Sequence, residues 1–233
     1  MLILEKEITR TEKSKNDNRN TVAVSLVLSK YVFKDRDLIR GEKKKLPDIY
    51  TSDKSLGIEL VNIKLTREHA FGKIARKVFN REVLVTDEKL KKDAAKFGVK
   101  IGCLEDGSLR CGISEIIPNF QEVIKSIFKD NLENKLGKLN NGLYDGIDGE
   151  MYLSMAHTET PNAEYVVELV AEICKEIASK YKRLFYAVLV VLENSTYKID
   201  STGSIEKCSY TADDYFECVR QMKEMLEIDN YAK

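Results

Sequence analysis

An α/β fold with a mixed central β-sheet flanked by helices is what this 233-residue chain predicts. Short apolar runs at 56–61, 151–156 and 184–192 alternate with long amphipathic stretches at 120–139 and 161–180, the pattern of strands connected through helices. Turn chemistry at 51–55 and 105–108 joins other runs directly, which adds antiparallel pairs to the parallel ones. The length and a 43% hydrophobic content are enough for one sizeable core, so the expectation is a single α/β domain over 1–233, with 66–119 as a candidate insertion.

Taken in order, residues 1–20 are charged and end in a polar run, Lys15 to Asn20, read as a loop. Glu5, Glu7 and Glu12 read as solvated, the alternative being that one of them completes an acidic site. The stretch 21–33 alternates as a strand does (Val22, Val24, Leu26, Leu28), but its length favours a helix. The basic run Arg40 to Lys45 leads into Leu46-Pro47-Asp48-Ile49-Tyr50; a solvated loop and a phosphate contact are both open for it. Then come the turn Thr51-Ser52-Asp53-Lys54-Ser55 and the run Leu56-Gly57-Ile58-Glu59-Leu60-Val61, together a hairpin.

Residues 65–79 predict a helix carrying His69 as a surface residue, 82–85 a strand, and 86–97 a helix capped by Thr86 and stopped by Gly98. The runs 99–104 and 109–113 form a hairpin that could bring Cys103 opposite Cys111. Over 120–139, Val123, Ile124, Ile127, Phe128, Leu132, Leu136 and Leu139 share one helix face. A Gly/Asp/Asn loop follows, then the strand 151–156 and a helix opened by Thr160-Pro161. The buried strand 184–192 has its hairpin mate at 196–200, and a helix capped at Thr211 closes the chain.

Thirty-eight basic and thirty-eight acidic residues cancel, so no global field draws in nucleic acid and any such binding must be local. Five cysteines without a CxxC pair point to reduced thiols and a cytoplasmic protein rather than a disulfide framework. No secretory leader is read at the N-terminus and no run is long enough to cross a membrane. His157-Thr158-Glu159 with Pro161 lacks the CxxC a zinc deaminase needs, and no glycine-rich phosphate loop occurs.

The chemistry concentrates in the first hairpin. Glu59 stands alone among aliphatic residues, and a carboxylate in a half-buried strand must be paired, hydrogen-bonded or metal-bound. Asp48, just after Pro47 on the adjoining run, supplies a second carboxylate, and two such groups suit a hard cation such as Mg²⁺ or Mn²⁺.

Pro47, Asp48 and Glu59, with Gly57-Ile58 before the acid, resemble the PD-(D/E)XK nuclease superfamily. The downstream series resembles the same group: lysines three apart (Lys135, Lys138) on a helix, Tyr144, a short strand, a helix and a second apolar strand. The departure is Val61, which stands where the motif lysine belongs. The resemblance implies a restriction-endonuclease-like fold and a Mg²⁺- or Mn²⁺-dependent hydrolase that cuts phosphodiester bonds. It implies nucleic acid as partner, with no membrane, and admits a homodimer. Asp48, Glu59 and the Leu60 carbonyl would hold the metal, and a helix lysine would replace the missing one, Lys135 first and Lys138 second. On the polar face of a helix, either lysine is otherwise an ordinary solvated residue that contributes little to stability. Two alternatives accompany the nuclease: a nuclease-fold binding protein without catalysis, and an unrelated α/β protein.

Overall fold

The computed structural model describes residues 2–4, 15–41, 45–63, 92, 95, 99–103, 109–113, 120–156 and 163–225. The expectations for Glu5, Glu7, Glu12, the elements at 65–85, the caps at Thr86 and Thr160, His69 and His157 lie outside these residues. The chain divides into two compact units, one of Met1–Ile63 with Phe128–Lys233 and one of Lys64–Ile127.

The strands are Leu2–Leu4 (β1), Leu38–Arg40 (β2), Ile49–Thr51 (β3), Leu56–Asn62 (β4), Val99–Cys103 (β5), Leu109–Ile113 (β6), Glu150–Ala156 (β7), Ala187–Val191 (β8), Ser195–Ile199 (β9) and Ile205–Ser209 (β10). The helices are Lys15–Val27 (α1), Phe120–Asn140 (α2), Ala163–Ala178 (α3) and Ala212–Met225 (α4). In the first unit eight strands make one mixed sheet, in the order β1-β2-β3-β4-β7-β8-β9-β10. The pairs β1/β2, β4/β7 and β7/β8 are parallel and the other four antiparallel, so the predicted α/β class with a mixed sheet holds.

The three central strands β4, β7 and β8 are buried on both faces, which explains their near-continuous apolar sequences. On one face, Leu56, Ile58, Leu60, Tyr152, Leu189 and Val191 pack with α1 and α4. On the other, Val188 and Ile199 line a small cavity together with Leu132 and Leu136 of α2 and Cys174 and Ile177 of α3. Thr211 caps α4 through its hydroxyl, which accepts from the Asp214 N–H at 3.1 Å, while the Asp214 carboxylate accepts from the Thr211 N–H at 2.8 Å.

The structure corrects the sequence reading in several places. Lys15 to Asn20 is not a loop but the first turns of α1, and residues 28–32 extend that helix as a π turn closed by a bond from the Phe33 N–H to the Leu28 carbonyl at 2.8 Å. Three strands went unpredicted: β1, β2 and β10. The first two have only three residues each, too few to establish a period, and β10 is an exposed edge strand without an apolar face. In the second unit β5 and β6 do pair antiparallel, but the register sets Cys103 opposite Leu109 and Cys111 opposite Ile101, so the two cysteines are diagonal rather than facing.

Ser154 tests how this core is built. It lies opposite Leu60 and Leu189 on the α1 side of the sheet, fully buried, and its hydroxyl has no hydrogen-bond partner among the described residues. Removing such a group relieves a desolvation cost, so Ser154→Ala is expected to stabilise by ~1 kcal/mol. Calorimetry should show the melting temperature rising by ~2–4 °C; a fall would mean that the hydroxyl is satisfied.

Candidate functional site

The hairpin places both carboxylates. β3 and β4 pair with Ile49 opposite Ile58 and Tyr50 opposite Gly57, so continuing the register by one step sets Asp48 opposite Glu59. Cross-strand partners leave the same sheet face. The Asp48 carbonyl also accepts from the Gly41 N–H at 3.2 Å, which carries the β2/β3 ladder one residue past its end. Gly57 makes room for this arrangement. A Cβ there would stand 2.7 Å from Pro47 Cγ, 2.6 Å from Met151 Sδ and 2.9 Å from Ile147 Cγ1, so only a glycine lets Pro47 lie against β4 immediately before Asp48.

The Asp48 carboxylate is held at its two oxygens. Oδ2 accepts from the Leu60 N–H at 2.8 Å, and Oδ1 lies 3.5 Å from Arg40 Nη1. The same Nη1 donates to the carbonyls of Asp48, at 2.9 Å, and Gly41, at 3.0 Å. Arg40 is almost fully buried, whereas the Asp48 side chain keeps 29% of its surface open to solvent. In a strand the N–H and C=O of one residue point to the same edge. The Leu60 carbonyl therefore faces the Asp48 edge as its N–H does.

Glu59 is 8% exposed, and its counter-charge arrives from a helix. In α2, Phe128, Leu132, Leu136 and Leu139 are buried, which anchors one face of the helix. Lys135 flanks that face, half-buried, and its Nζ donates to Glu59 Oε1 at 2.5 Å. Lys138 is exposed, and no hydrogen bond or ion pair links it to either carboxylate among the described residues. Val61, on the face shared with Glu59, is buried and apolar.

The loop after α2 brings a fifth side chain, beyond those of Asp48, Glu59, Arg40 and Lys135. Gly142, in the left-handed region at φ +75°, follows the helix end, and the Leu143 N–H returns to the Lys138 carbonyl at 3.1 Å. The loop is then tied to the lead-in and the turn of the hairpin: the Gly146 N–H donates to the Lys45 carbonyl and the Asp148 N–H to the Lys54 carbonyl, each at 3.1 Å. Between the Leu143 and Gly146 bonds Tyr144 is 2% exposed. Its hydroxyl sits beside the Glu59 carboxylate without reaching good hydrogen-bond geometry.

Electrostatics follow from this packing. Burial, then the Glu59 charge, push the Asp48 pKa above the usual carboxylate range, against the pull of Arg40, the Leu60 N–H and Lys135. Burial and the same two carboxylates push the Tyr144 pKa up, so the phenol stays protonated at neutral pH and remains a donor. Asp48, Glu59, Arg40 and Lys135 together carry no net charge.

Of the residues singled out in the sequence, Asp48, Glu59, Leu60 and Lys135 come together here and Lys138 does not. In the sequence Arg40 stands out only as part of a basic run; its signal is its place eight residues before an acid in a strand-rich segment. Among the described residues no three His, Cys, Asp or Glu side chains group as a complete metal cage. Two carboxylates and a backbone carbonyl are all oxygen donors and fit a hard cation that keeps much of its water. Comparison with family models, curated proteins and solved structures gives no match.

Gly57→Ala should overpack this hairpin at the expense of ~1–3 kcal/mol. Chemical denaturation checks it: an unchanged midpoint would mean that Pro47 and Ile147 move aside freely.

Proposed function

We propose that this protein is a metal-dependent nuclease of restriction-endonuclease-like fold that hydrolyses phosphodiester bonds in nucleic acid. The observation that carries the reading is the Lys135–Glu59 contact opposite Asp48: the cation that Val61 cannot supply reaches the carboxylate pair from α2. A hard divalent cation held by Asp48, Glu59 and the Leu60 carbonyl supplies, when bound, an acidified water and charge stabilisation at the phosphate. The protein's own part is positional. Arg40 and the Leu60 N–H fix the direction of Asp48, and Lys135 orients a water or neutralises developing charge on the phosphoryl oxygens.

A second reading, a nuclease-fold binding protein without catalysis, is favoured by the charge balance of the four side chains. With Lys135 on Glu59 the site has no net negative charge to attract a cation. The two readings differ in whether Lys135 leaves Glu59 when metal and substrate arrive.

Mn²⁺ is expected to bind weakly in calorimetry, and Asp48→Ala or Glu59→Ala to abolish that binding. Identical isotherms in wild type and both variants would remove the metal site. For catalysis, the assay is purified protein on single- and double-stranded DNA and on RNA, with EDTA as blank. Lys135→Ala should lower metal-dependent cleavage by ~10²-fold or more, as expected for one preorganised electrostatic group, and Lys138→Ala should have little effect.

Lys135 is half-buried and paired with Glu59 rather than solvated, which argues against the sequence expectation that it matters little for stability. Its loss leaves Glu59 without its charged donor and should cost ~1.5–3 kcal/mol. Circular dichroism must therefore accompany the assay. Full activity in a folded Lys135→Ala protein contradicts the assignment, and activity on no substrate favours the binding protein.

A further inference from the structure

Tyr144 carries, beside Glu59, a buried hydroxyl that no hydrogen bond engages among the described residues. Its hydroxyl is shielded from solvent and lacks a hydrogen-bond partner among the described residues. Unsatisfied buried hydroxyls are uncommon and costly, and removal of the oxygen is the easiest change a sequence can make. The loop that carries it is fastened at Lys45 and Lys54, so its place beside Glu59 is set by backbone bonds and not by the phenol itself.

Among the described residues, Lys135 is the side-chain donor that reaches Glu59 with good hydrogen-bond geometry, at 2.5 Å from Oε1. The proposed nuclease requires Lys135 to turn from Glu59 toward a phosphate or its water, and that departure would leave a buried carboxylate with a free lone pair. We infer that Tyr144 is a positioning residue whose hydroxyl takes over as donor to Glu59 when Lys135 leaves, holding the carboxylate in place through the exchange. The inference rests on the nuclease reading for the reason why Lys135 leaves, but the exchange itself can be tested without metal.

A neutral donor suits this role. A protonated phenol steadies Glu59 without cancelling its charge, whereas Lys135 at the same oxygen neutralises it. The carboxylate thus keeps its negative charge for a cation once the lysine has moved.

The test is a double-mutant cycle on thermal stability in EDTA, with Tyr144→Phe made in wild type and in Lys135→Met, which keeps most of the apolar stem. In wild type, Tyr144→Phe should leave the melting temperature unchanged or slightly raised, because the hydroxyl is unused. In Lys135→Met the hydroxyl is the donor at hand, and its loss should lower the melting temperature by a further ~2–4 °C. Equal shifts in the two backgrounds would overturn the inference, as would a clear fall in wild type alone, the mark of a plain structural hydroxyl. Should Lys135→Met fail to fold, the same comparison is made with Lys135→Gln.

A parallel Mn²⁺ titration separates the two ideas. Binding that weakens ~10-fold in Tyr144→Phe, at unchanged stability, supports the exchange; one such factor corresponds to a single hydrogen bond. Coupling in the cycle without Mn²⁺ binding by wild type supports the exchange and overturns the nuclease. Binding without coupling overturns the exchange alone.

Discussion

Glu59 sits between Ile58 and Leu60 in a strand that is almost wholly buried, and a charge there persists only if something answers it. Lys135 does so at 2.5 Å, from a helix that reaches the sheet 76 residues later in the chain. Much of the local structure is arranged around this pair. The apolar stripe of α2 fixes the depth of the lysine, the parallel β4/β7 pairing fixes the strand, and the loop at 141–149 fastens the end of the helix to the hairpin. Asp48 repeats the pattern on the neighbouring strand with Arg40 and the Leu60 N–H as its partners. Each acid has its own cation, and neither cation comes from the hairpin turn.

Two like charges on adjoining strands repel, which is one cause of the raised Asp48 pKa. A sheet built only for stability would not keep such a pair, since apolar residues of similar size often serve as well or better. Three costs coincide within one small region: a carboxylate pair, a buried guanidinium whose Nε lacks a partner among the described residues, and a buried phenol in the same condition. Ser154 is a further unsatisfied group, but it lies opposite Leu60 on the other face of the sheet, away from any charge. Costs that gather around charged groups are the usual mark of a site that works on a ligand.

The hairpin was legible because both of its signals are local: turn residues at 51–55, confirmed by the Asp53 carboxylate accepting from the Ser55 N–H at 3.0 Å, and apolar runs on either side. Lys135 was legible through the resemblance, as the first of two lysines three apart on a helix, though not how deeply it is buried, which depends on the sheet behind it. Arg40 was not, because β2 is three residues long and owes its place to pairing with β1 and β3. The N-terminal half of α1 was hidden by its polar composition, Lys15 to Asn20, which local propensity assigns to a loop. Tyr144 appeared in the sequence only as one member of a series, since the loop that holds it is fastened by backbone bonds to residues roughly a hundred positions earlier.

The central claim is that the Asp48–Glu59 carboxylate pair receives a divalent cation and that Lys135 yields to it. Crystals grown with Mn²⁺ and a short oligonucleotide, with data collected at the manganese absorption edge, test this most directly. The account predicts an anomalous peak in contact with the Asp48 and Glu59 carboxylates, with the Lys135 ammonium displaced from Glu59 toward the phosphate. A Lys135–Glu59 contact kept as it is in the present structure, with no peak between the carboxylates, would contradict it.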